Sequence, residues 1–151
     1  MPAETRMIQG SRFKFTTQPI KTSALDAGLL KGTRILVVED SPDNQMLLRV
    51  LLMRYGAKVD IAEDGLIGVD KALIGNFDLI LMDVQMPRMD GYEAVKLLRE
   101  KGFQKPIVAL TAHAMIEERE RCLKAGYTDF LSKPIDRAKL IEVLKAQLAL
   151  E

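Results

Sequence analysis

The sequence predicts an α/β protein with a doubly wound parallel sheet, and three observations favour this class. From residue 34 onward, short apolar segments alternate with longer segments whose apolar residues recur at helical spacing. Glycines stand just past three of the predicted helices, at positions 56, 102 and 126, where helices commonly end. Five strand–helix units in succession predict parallel strands with helices on both faces.

Five short and mostly apolar segments are predicted to be strands. They span residues 34–38, 57–61, 77–82, 106–110 and 128–131. The predicted helices span residues 42–55, 64–75, 91–101, 113–125 and 136–149. The first helix has a well-defined start, because Ser41 can cap it and Pro42 suits the first helical position.

The first helix is apolar over nearly its whole circumference, since Arg49 is the one polar residue between positions 46 and 53. Three of its residues are expected to face the sheet: Leu47, Val50 and Leu51. One flank of that face then consists of Leu48, Leu52 and Tyr55, and the other of Met46 and Met53. Because so wide an apolar surface needs a second partner, we predict that the flank formed by Leu48, Leu52 and Tyr55 docks another helix.

Residues 1–33 are predicted to be a linker or a flexible N-terminal segment, and residues 34–151 form the predicted domain. The segment holds five basic and two acidic residues and shows no strong helical or strand period. Its residues 22–32 could form a capped helical turn that ends at a glycine.

Composition excludes several other classes. The net charge of +1 gives no electrostatic support for binding nucleic acid or an anionic membrane. The single cysteine excludes an internal disulfide and suits a reducing compartment. No apolar segment reaches the roughly 20 residues of a membrane span, and no signal peptide opens the chain. We therefore expect a cytoplasmic protein without nucleic-acid or membrane contacts, and its oligomeric state stays open.

Reactive side chains follow four of the five predicted strands. Glu39 and Asp40 come after the first, Asp83 after the third, Thr111 after the fourth and Lys133 just after the fifth. The carboxyl ends of parallel strands share one edge of a sheet, which is the usual place for a ligand site. These side chains are therefore expected to meet.

Three carboxylates at one edge predict a cation site. At an effective dielectric of 20, two like charges 4 Å apart repel by about 4 kcal/mol. A hard divalent cation removes that repulsion, and oxygen ligands favour magnesium over zinc. Because magnesium also binds phosphate oxygens, Asp83 could act as a nucleophile toward a phosphoryl group, with Lys133 neutralising the transferred charge.

The chain resembles the receiver domain of two-component response regulators over residues 34–150. Four motifs support the resemblance: V-V-E-D at residues 37–40, D-V-Q-M-P-R-M-D-G at 83–91, A-L-T-A-H-A-M at 109–115 and L-S-K-P at 131–134. The resemblance implies a flavodoxin-like fold with strand order 2-1-3-4-5. It also implies that Asp83 is the phosphoacceptor and that Mg²⁺, or Mn²⁺ as an alternative, binds Glu39, Asp40, Asp83 and the backbone carbonyl of Gln85.

The resemblance further implies a conformational switch. Thr111 matches the hydroxyl that bonds the phosphoryl group, Lys133 the lysine that contacts it, and Phe130 the aromatic that turns inward on phosphorylation. The Lys133–Pro134 peptide bond is cis in the family. Gln85 and His113 match positions that overlook the site and could tune the lifetime of the acyl phosphate.

The first helix and the motifs look most like receivers fused to hybrid histidine kinases, which exchange phosphoryl groups with a histidine kinase or a histidine phosphotransfer domain. The alternative is a stand-alone regulator that acts on a protein target through the Phe130 surface. A phosphohydrolase with an aspartyl nucleophile is less favoured, because such enzymes need a second Asp where this chain has Gln85. We expect self-phosphorylation and autodephosphorylation but no turnover of an external substrate.

Overall fold

The computed structural model describes residues 27–113 and 115–150, in which five strands and five helices alternate. The strands are β1 (Arg34–Val38), β2 (Lys58–Ala62), β3 (Leu79–Asp83), β4 (Ile107–Thr111) and β5 (Asp129–Ser132). The helices are α1 (Pro42–Arg54), α2 (Gly65–Ile74), α3 (Gly91–Glu100), α4 (Ile116–Ala125) and α5 (Arg137–Leu148).

The predicted fold class and strand order are confirmed. All neighbouring strands pair in parallel, in the order β2-β1-β3-β4-β5. Side chains of α1 and α5 pack on one face of the sheet, and those of α2, α3 and α4 pack on the other. The three central strands are β1, β3 and β4. Helices cover both of their faces, which explains why the residues of these strands are almost all apolar and buried.

Most helix ends lie close to the predicted positions. Gly56, Gly102 and Gly126 have φ values of 99°, 93° and 123°, so each supplies the left-handed conformation that closes a helix. The largest difference is at α4, which begins at Ile116 and not at residue 113. The start is delayed because the Thr111 hydroxyl accepts the backbone N–H of His113, which holds this stretch as a turn.

The predicted orientation of α1 is wrong. Leu48 and Leu52 are fully buried and Tyr55 is 2% exposed, so these three residues belong to the core and cannot form a docking flank. Of the three residues expected to face the sheet, only Leu51 is buried. The exposed apolar residues are Met46, Leu47, Val50 and Met53. Apolar residues surround α1, so their spacing in the sequence could not show which side of the helix faces the core and which faces solvent.

The packed domain begins before the predicted boundary at residue 34. Leu30 is fully buried in the layer that contains α1 and α5, and its backbone N–H donates to the Tyr55 carbonyl at 2.8 Å. Residues 1–26 of the predicted linker, including the start of the predicted helical turn, lie outside the described residues. Within the described part of the chain, no helix is both long and apolar enough to cross a membrane.

Candidate functional site

The five reactive side chains predicted from the strand ends meet in one cleft of about 230 Å³ at the carboxyl edge of the sheet. Glu39 and Asp40 follow β1, Asp83 ends β3, Thr111 ends β4 and Lys133 follows β5. Parallel pairing in register places these strand ends side by side. Gln85 and His113 line the same cleft, whereas Phe130 does not.

Three carboxylates of the cleft are close enough to share a cation. One oxygen each from Glu39, Asp40 and Asp83 lies within 4.8 Å of the other two. Glu39 is fully buried and Asp83 is 5% exposed, whereas Asp40 is open to solvent. Because buried carboxylates need a positive partner, this all-oxygen donor set fits a hard divalent ion such as Mg²⁺.

Lys133 supplies positive charge to two of these carboxylates. Its Nζ atom lies 2.8 Å from Oδ2 of Asp83 and 2.9 Å from Oε1 of Glu39. Burial by itself would lower the pKa of the ammonium, but the hydrogen bonds to Asp83 and Glu39 outweigh it and raise the pKa. Lys133 is therefore a cation at neutral pH. The Lys133–Pro134 peptide bond is cis, as the resemblance implied.

The backbone around Asp83 is held by close contacts that the sequence analysis missed. The Gln85 N–H donates to Oδ1 of Asp83 at 3.2 Å, and the Gly91 N–H donates to the Val84 carbonyl at 2.8 Å. A side chain at position 91 would collide with the Asp83 carbonyl and the Tyr127 hydroxyl. The glycine of the D-G pair is therefore required for the approach of α3 to the strand end.

An ion pair between a buried carboxylate and an exposed guanidinium fixes the loop between β3 and α3. Asp64 is 1% exposed, caps α2 by accepting the Ile67 N–H at 2.9 Å, and pairs with the guanidinium of Arg88. The backbone hydrogen bond from Ile67 and the bond from Arg88 lower the pKa of Asp64. Arg88 has a φ of 68°, so the pair holds a left-handed turn in this loop. Only the capping position of Asp64 could have been found from sequence.

Thr111 is part of a polar network that reaches α3 and α4. Its Oγ1 atom accepts the His113 N–H at 3.1 Å and lies 3.0 Å from the His113 carbonyl and 3.2 Å from Oε1 of Glu118, its two available acceptors. The Tyr92 hydroxyl donates to Oε2 of Glu118 at 2.7 Å. Burial and this bond raise the pKa of Tyr92 well above its ordinary value, so Tyr92 remains a donor. The sequence analysis identified neither Tyr92 nor Glu118.

Phe130 is half-buried on β5, outside the cleft. The guanidinium carbon of Arg119 lies 4.6 Å from the centroid of its ring, within the range of a cation–π contact. The ring also packs against the apolar layer formed by α2, α3 and α4.

Comparison with known proteins assigns the family. Residues 35–145 match the response regulator receiver domain. The chain therefore belongs to the family of response regulator receiver domains, which function in two-component and phosphorelay signalling. The resemblance found in the four motifs is confirmed.

The similar proteins point to receivers of sensor histidine kinases. The sensor protein GacS of Pseudomonas syringae pv. syringae is 39% identical over 95% of this chain, which spans 16% of that protein's length. A similar solved structure is the receiver domain of sensor histidine kinase PA1611 from Pseudomonas aeruginosa PAO1, which has magnesium in its active-site cleft. It is 42% identical to this chain and has a TM-score of 0.72. The match covers 78% of this chain and 98% of that one.

A second solved structure shows a receiver bound to a partner. The Saccharomyces cerevisiae receiver domain of Ssk1, in complex with the histidine phosphotransfer protein Ypd1, is 29% identical, with a TM-score of 0.73 and coverage of 78% of this chain and 89% of that one.

Proposed function

We propose that this receiver accepts a phosphoryl group on Asp83, with Mg²⁺ held by Glu39, Asp40, Asp83 and the backbone carbonyl of Gln85. The observation that carries the proposal is the meeting of three carboxylate oxygens within 4.8 Å, with the Lys133 ammonium ion-paired to two of those carboxylates. The magnesium in the cleft of the PA1611 receiver supports the same ion here. Mn²⁺ suits the same oxygen ligands.

In the proposed transfer, a carboxylate oxygen of Asp83 attacks the phosphorus of the donor. A new P–O bond forms as the bond from phosphorus to the imidazole nitrogen of a phosphohistidine breaks, and the electron pair of the broken bond stays on that nitrogen. The Lys133 ammonium first pairs with the Asp83 carboxylate and then stabilises the negative charge on the phosphoryl oxygens. The bound cation supplies the remaining charge neutralisation. Attack of water on the phosphorus later breaks its bond to the Asp83 oxygen, which restores the carboxylate and releases phosphate.

We infer that Thr111 and Phe130 couple phosphorylation of Asp83 to a change in the protein surface. A phosphoryl group adds charge and strong acceptor oxygens beside the Thr111 hydroxyl. When Thr111 turns toward them it vacates space that the Phe130 ring can enter, which changes the surface of α4, β5 and α5. Phosphorylation then biases an equilibrium between two arrangements that both exist beforehand.

Gln85 and His113 are proposed to set the lifetime of the acyl phosphate. Both side chains are exposed and both residues line the cleft, so they border the path of an attacking water. Exchanging either residue should change the rate of phosphate loss from Asp83 more than the rate of labelling.

The proposed context is a phosphorelay in which this receiver belongs to a hybrid histidine kinase and exchanges its phosphoryl group with a histidine phosphotransfer domain. The similarity to GacS over nearly the whole chain supports this context. The alternative is a single-domain regulator that acts on a protein target. Faster exchange with a phosphotransfer protein than with a small phosphodonor would favour the relay.

The docking surface for that partner is proposed to be the exposed apolar face of α1, which consists of Met46, Leu47, Val50 and Met53. These residues are 63%, 40%, 45% and 56% exposed. The face lies on the helix that follows the two acidic residues of the cleft, so a helix docked there would reach the site. The complex of Ypd1 with the Ssk1 receiver supports a histidine phosphotransfer protein as the partner.

The experiment that tests the proposed function is labelling with acetyl phosphate, followed by intact-mass analysis with and without Mg²⁺. We expect the adduct with Mg²⁺ and its loss when a chelator is added before the donor. Labelling of equal rate and extent with and without the divalent ion would contradict the metal site.

A further inference from the structure

The Thr111 hydroxyl is held by a residue of α4 that none of the sequence motifs indicated. Oε1 of Glu118 lies 3.2 Å from Oγ1 of Thr111, and Glu118 occupies the first turn of α4. A hydroxyl has a single proton to donate. The Thr111 proton is therefore shared between Glu118 and the His113 carbonyl, which lies 3.0 Å away. A phosphoryl oxygen on Asp83 would have to compete with both acceptors.

Glu118 is itself fixed in place. Its second oxygen, Oε2, accepts the hydroxyl of Tyr92 at 2.7 Å. The ring of Tyr92 lies edge-on to Tyr127, with 6.4 Å between the centroids, and the guanidinium carbon of Arg121 lies 4.4 Å from the Tyr92 centroid. A carboxylate bonded through both oxygens cannot swing away without breaking one of these bonds.

The next residue of α4 contacts the other half of the proposed switch. Arg119 lies over the ring of Phe130, with 4.6 Å from its guanidinium carbon to the ring centroid. Two successive residues of one helix turn therefore contact the two side chains that are proposed to move. A displacement of this turn would release both of them together.

We propose that Glu118 is a positioning residue that holds the Thr111 hydroxyl in the unphosphorylated receiver and opposes its turn toward Asp83. The inference rests on the proposed phosphorylation of Asp83. On phosphorylation the Thr111 proton leaves the Glu118 and His113 acceptors for a phosphoryl oxygen, and no covalent bond of Thr111 changes. Glu118 also lines the cleft.

The test compares the initial rates of Asp83 labelling by acetyl phosphate and Mg²⁺ in matched variants. Glu118→Ala is expected to raise the rate by about fivefold, the effect of one lost hydrogen bond that opposes the labelled state. Glu117→Ala is the control, because Glu117 is exposed on the same turn and its exchange removes the same charge. We expect the Glu117 variant to label at close to the wild-type rate.

A double-mutant cycle separates the hydrogen bond from the charge. In a Thr111→Ala background, Glu118→Ala should give no further increase, because the bond it breaks is already absent. An increase of equal size in that background would show that Glu118 acts by charge alone, and would overturn the proposal. An increase of equal size in Glu117→Ala, or no increase in Glu118→Ala, would overturn it too.

Tyr92→Phe provides an independent variant that keeps the ring and removes the bond to Glu118. We expect it to raise the labelling rate by a smaller factor than Glu118→Ala, and its melting temperature shows whether the fold is retained. Should Glu118→Ala fail to fold, a wild-type rate in a folded Tyr92→Phe protein would overturn the proposal. Failure of the wild-type protein to label at all would instead contradict the proposed function.

Discussion

Asp40 differs from the other two carboxylates of the cleft in its surroundings. Glu39 and Asp83 are buried and both bond the Lys133 ammonium, whereas Asp40 is exposed and has no bond to that lysine. Without a divalent ion, Asp40 therefore adds repulsion that Lys133 does not offset. This charge is useful only when a metal is bound.

We predict that Asp40→Asn raises the melting temperature by about 2 to 4 °C in the presence of a chelator, the change that corresponds to roughly 1 kcal/mol in a domain of this size. The same variant should lose Mg²⁺-dependent labelling. Asp43→Asn is the control, because Asp43 lies on the first turn of α1 and is not one of the three clustered carboxylates. A lower melting temperature in Asp40→Asn with normal labelling would contradict the assigned site.

The ion pair between buried Asp64 and exposed Arg88 gives a prediction about pH. The pKa of Asp64 in the folded protein lies below its ordinary value of about 3.9. Its contribution to stability is therefore complete above that ordinary value and is lost as the pH falls through the folded-state pKa. We expect urea unfolding to show wild type more stable than Asp64→Asn at pH 7, with the difference narrowing below about pH 4. A difference that stays constant down to pH 2.5 would exclude this role.

Among the helices, α1 shows where sequence patterns stop being sufficient. Its apolar character and its start at Ser41 and Pro42 were predicted correctly, but its rotation was not. Rotation was decided by tertiary contacts, among them the bond from Nη1 of Arg137 to the Tyr55 hydroxyl at 2.7 Å. Arg137 is 82 positions from Tyr55 in the sequence, so the residues around Tyr55 could not indicate this contact.

The corrected face of α1 predicts which substitutions disturb partner binding. We expect Met46→Asp combined with Met53→Asp to slow phosphoryl exchange with a histidine phosphotransfer protein by at least about tenfold, because about 1.4 kcal/mol of docking energy is lost. Labelling by acetyl phosphate should be unchanged. Ile74→Asp is the control, since Ile74 is 83% exposed on α2, at the opposite face of the sheet. Equal slowing with both donors would refute the docking surface.

The loops and α4 mark a second limit of sequence analysis. The acidic pair, Asp83, Thr111 and Lys133 were predictable because parallel strands bring their carboxyl ends to one edge. Glu118 and Tyr92 were not, because their bond depends on how α3 and α4 pack against each other. Gly91 lies within a recognised motif, yet the collision that requires a glycine involves Tyr127, a residue of a distant segment.

At the scale of the whole molecule, the sheet separates two apolar layers, and the N-terminal residues of the described chain complete one of them. Leu30 lies in the layer of α1 and α5 with no exposed surface. The chain before β1 is thus bonded to the C-terminal end of α1 through the Tyr55 carbonyl. A domain trimmed at residue 34 would lose this part of its core.

We therefore predict that Leu30→Ala lowers the free energy of unfolding by about 2 to 5 kcal/mol, the usual cost of such a cavity. Urea denaturation monitored by circular dichroism measures this change. Ile74→Ala, at an exposed position, should change the free energy by less than about 0.5 kcal/mol. Similar small changes for both variants would show that residue 30 does not belong to the folding unit.

The central claim is that Glu39, Asp40 and Lys133 prepare the buried carboxylate of Asp83 to receive a phosphoryl group. Intact-mass analysis after incubation with acetyl phosphate and Mg²⁺ tests it most directly, with wild type and Asp83→Asn compared side by side. We predict a gain of about 80 Da, one phosphoryl group, in the wild-type protein and none in Asp83→Asn. An unchanged wild-type mass, or the same gain in both proteins, would contradict the claim.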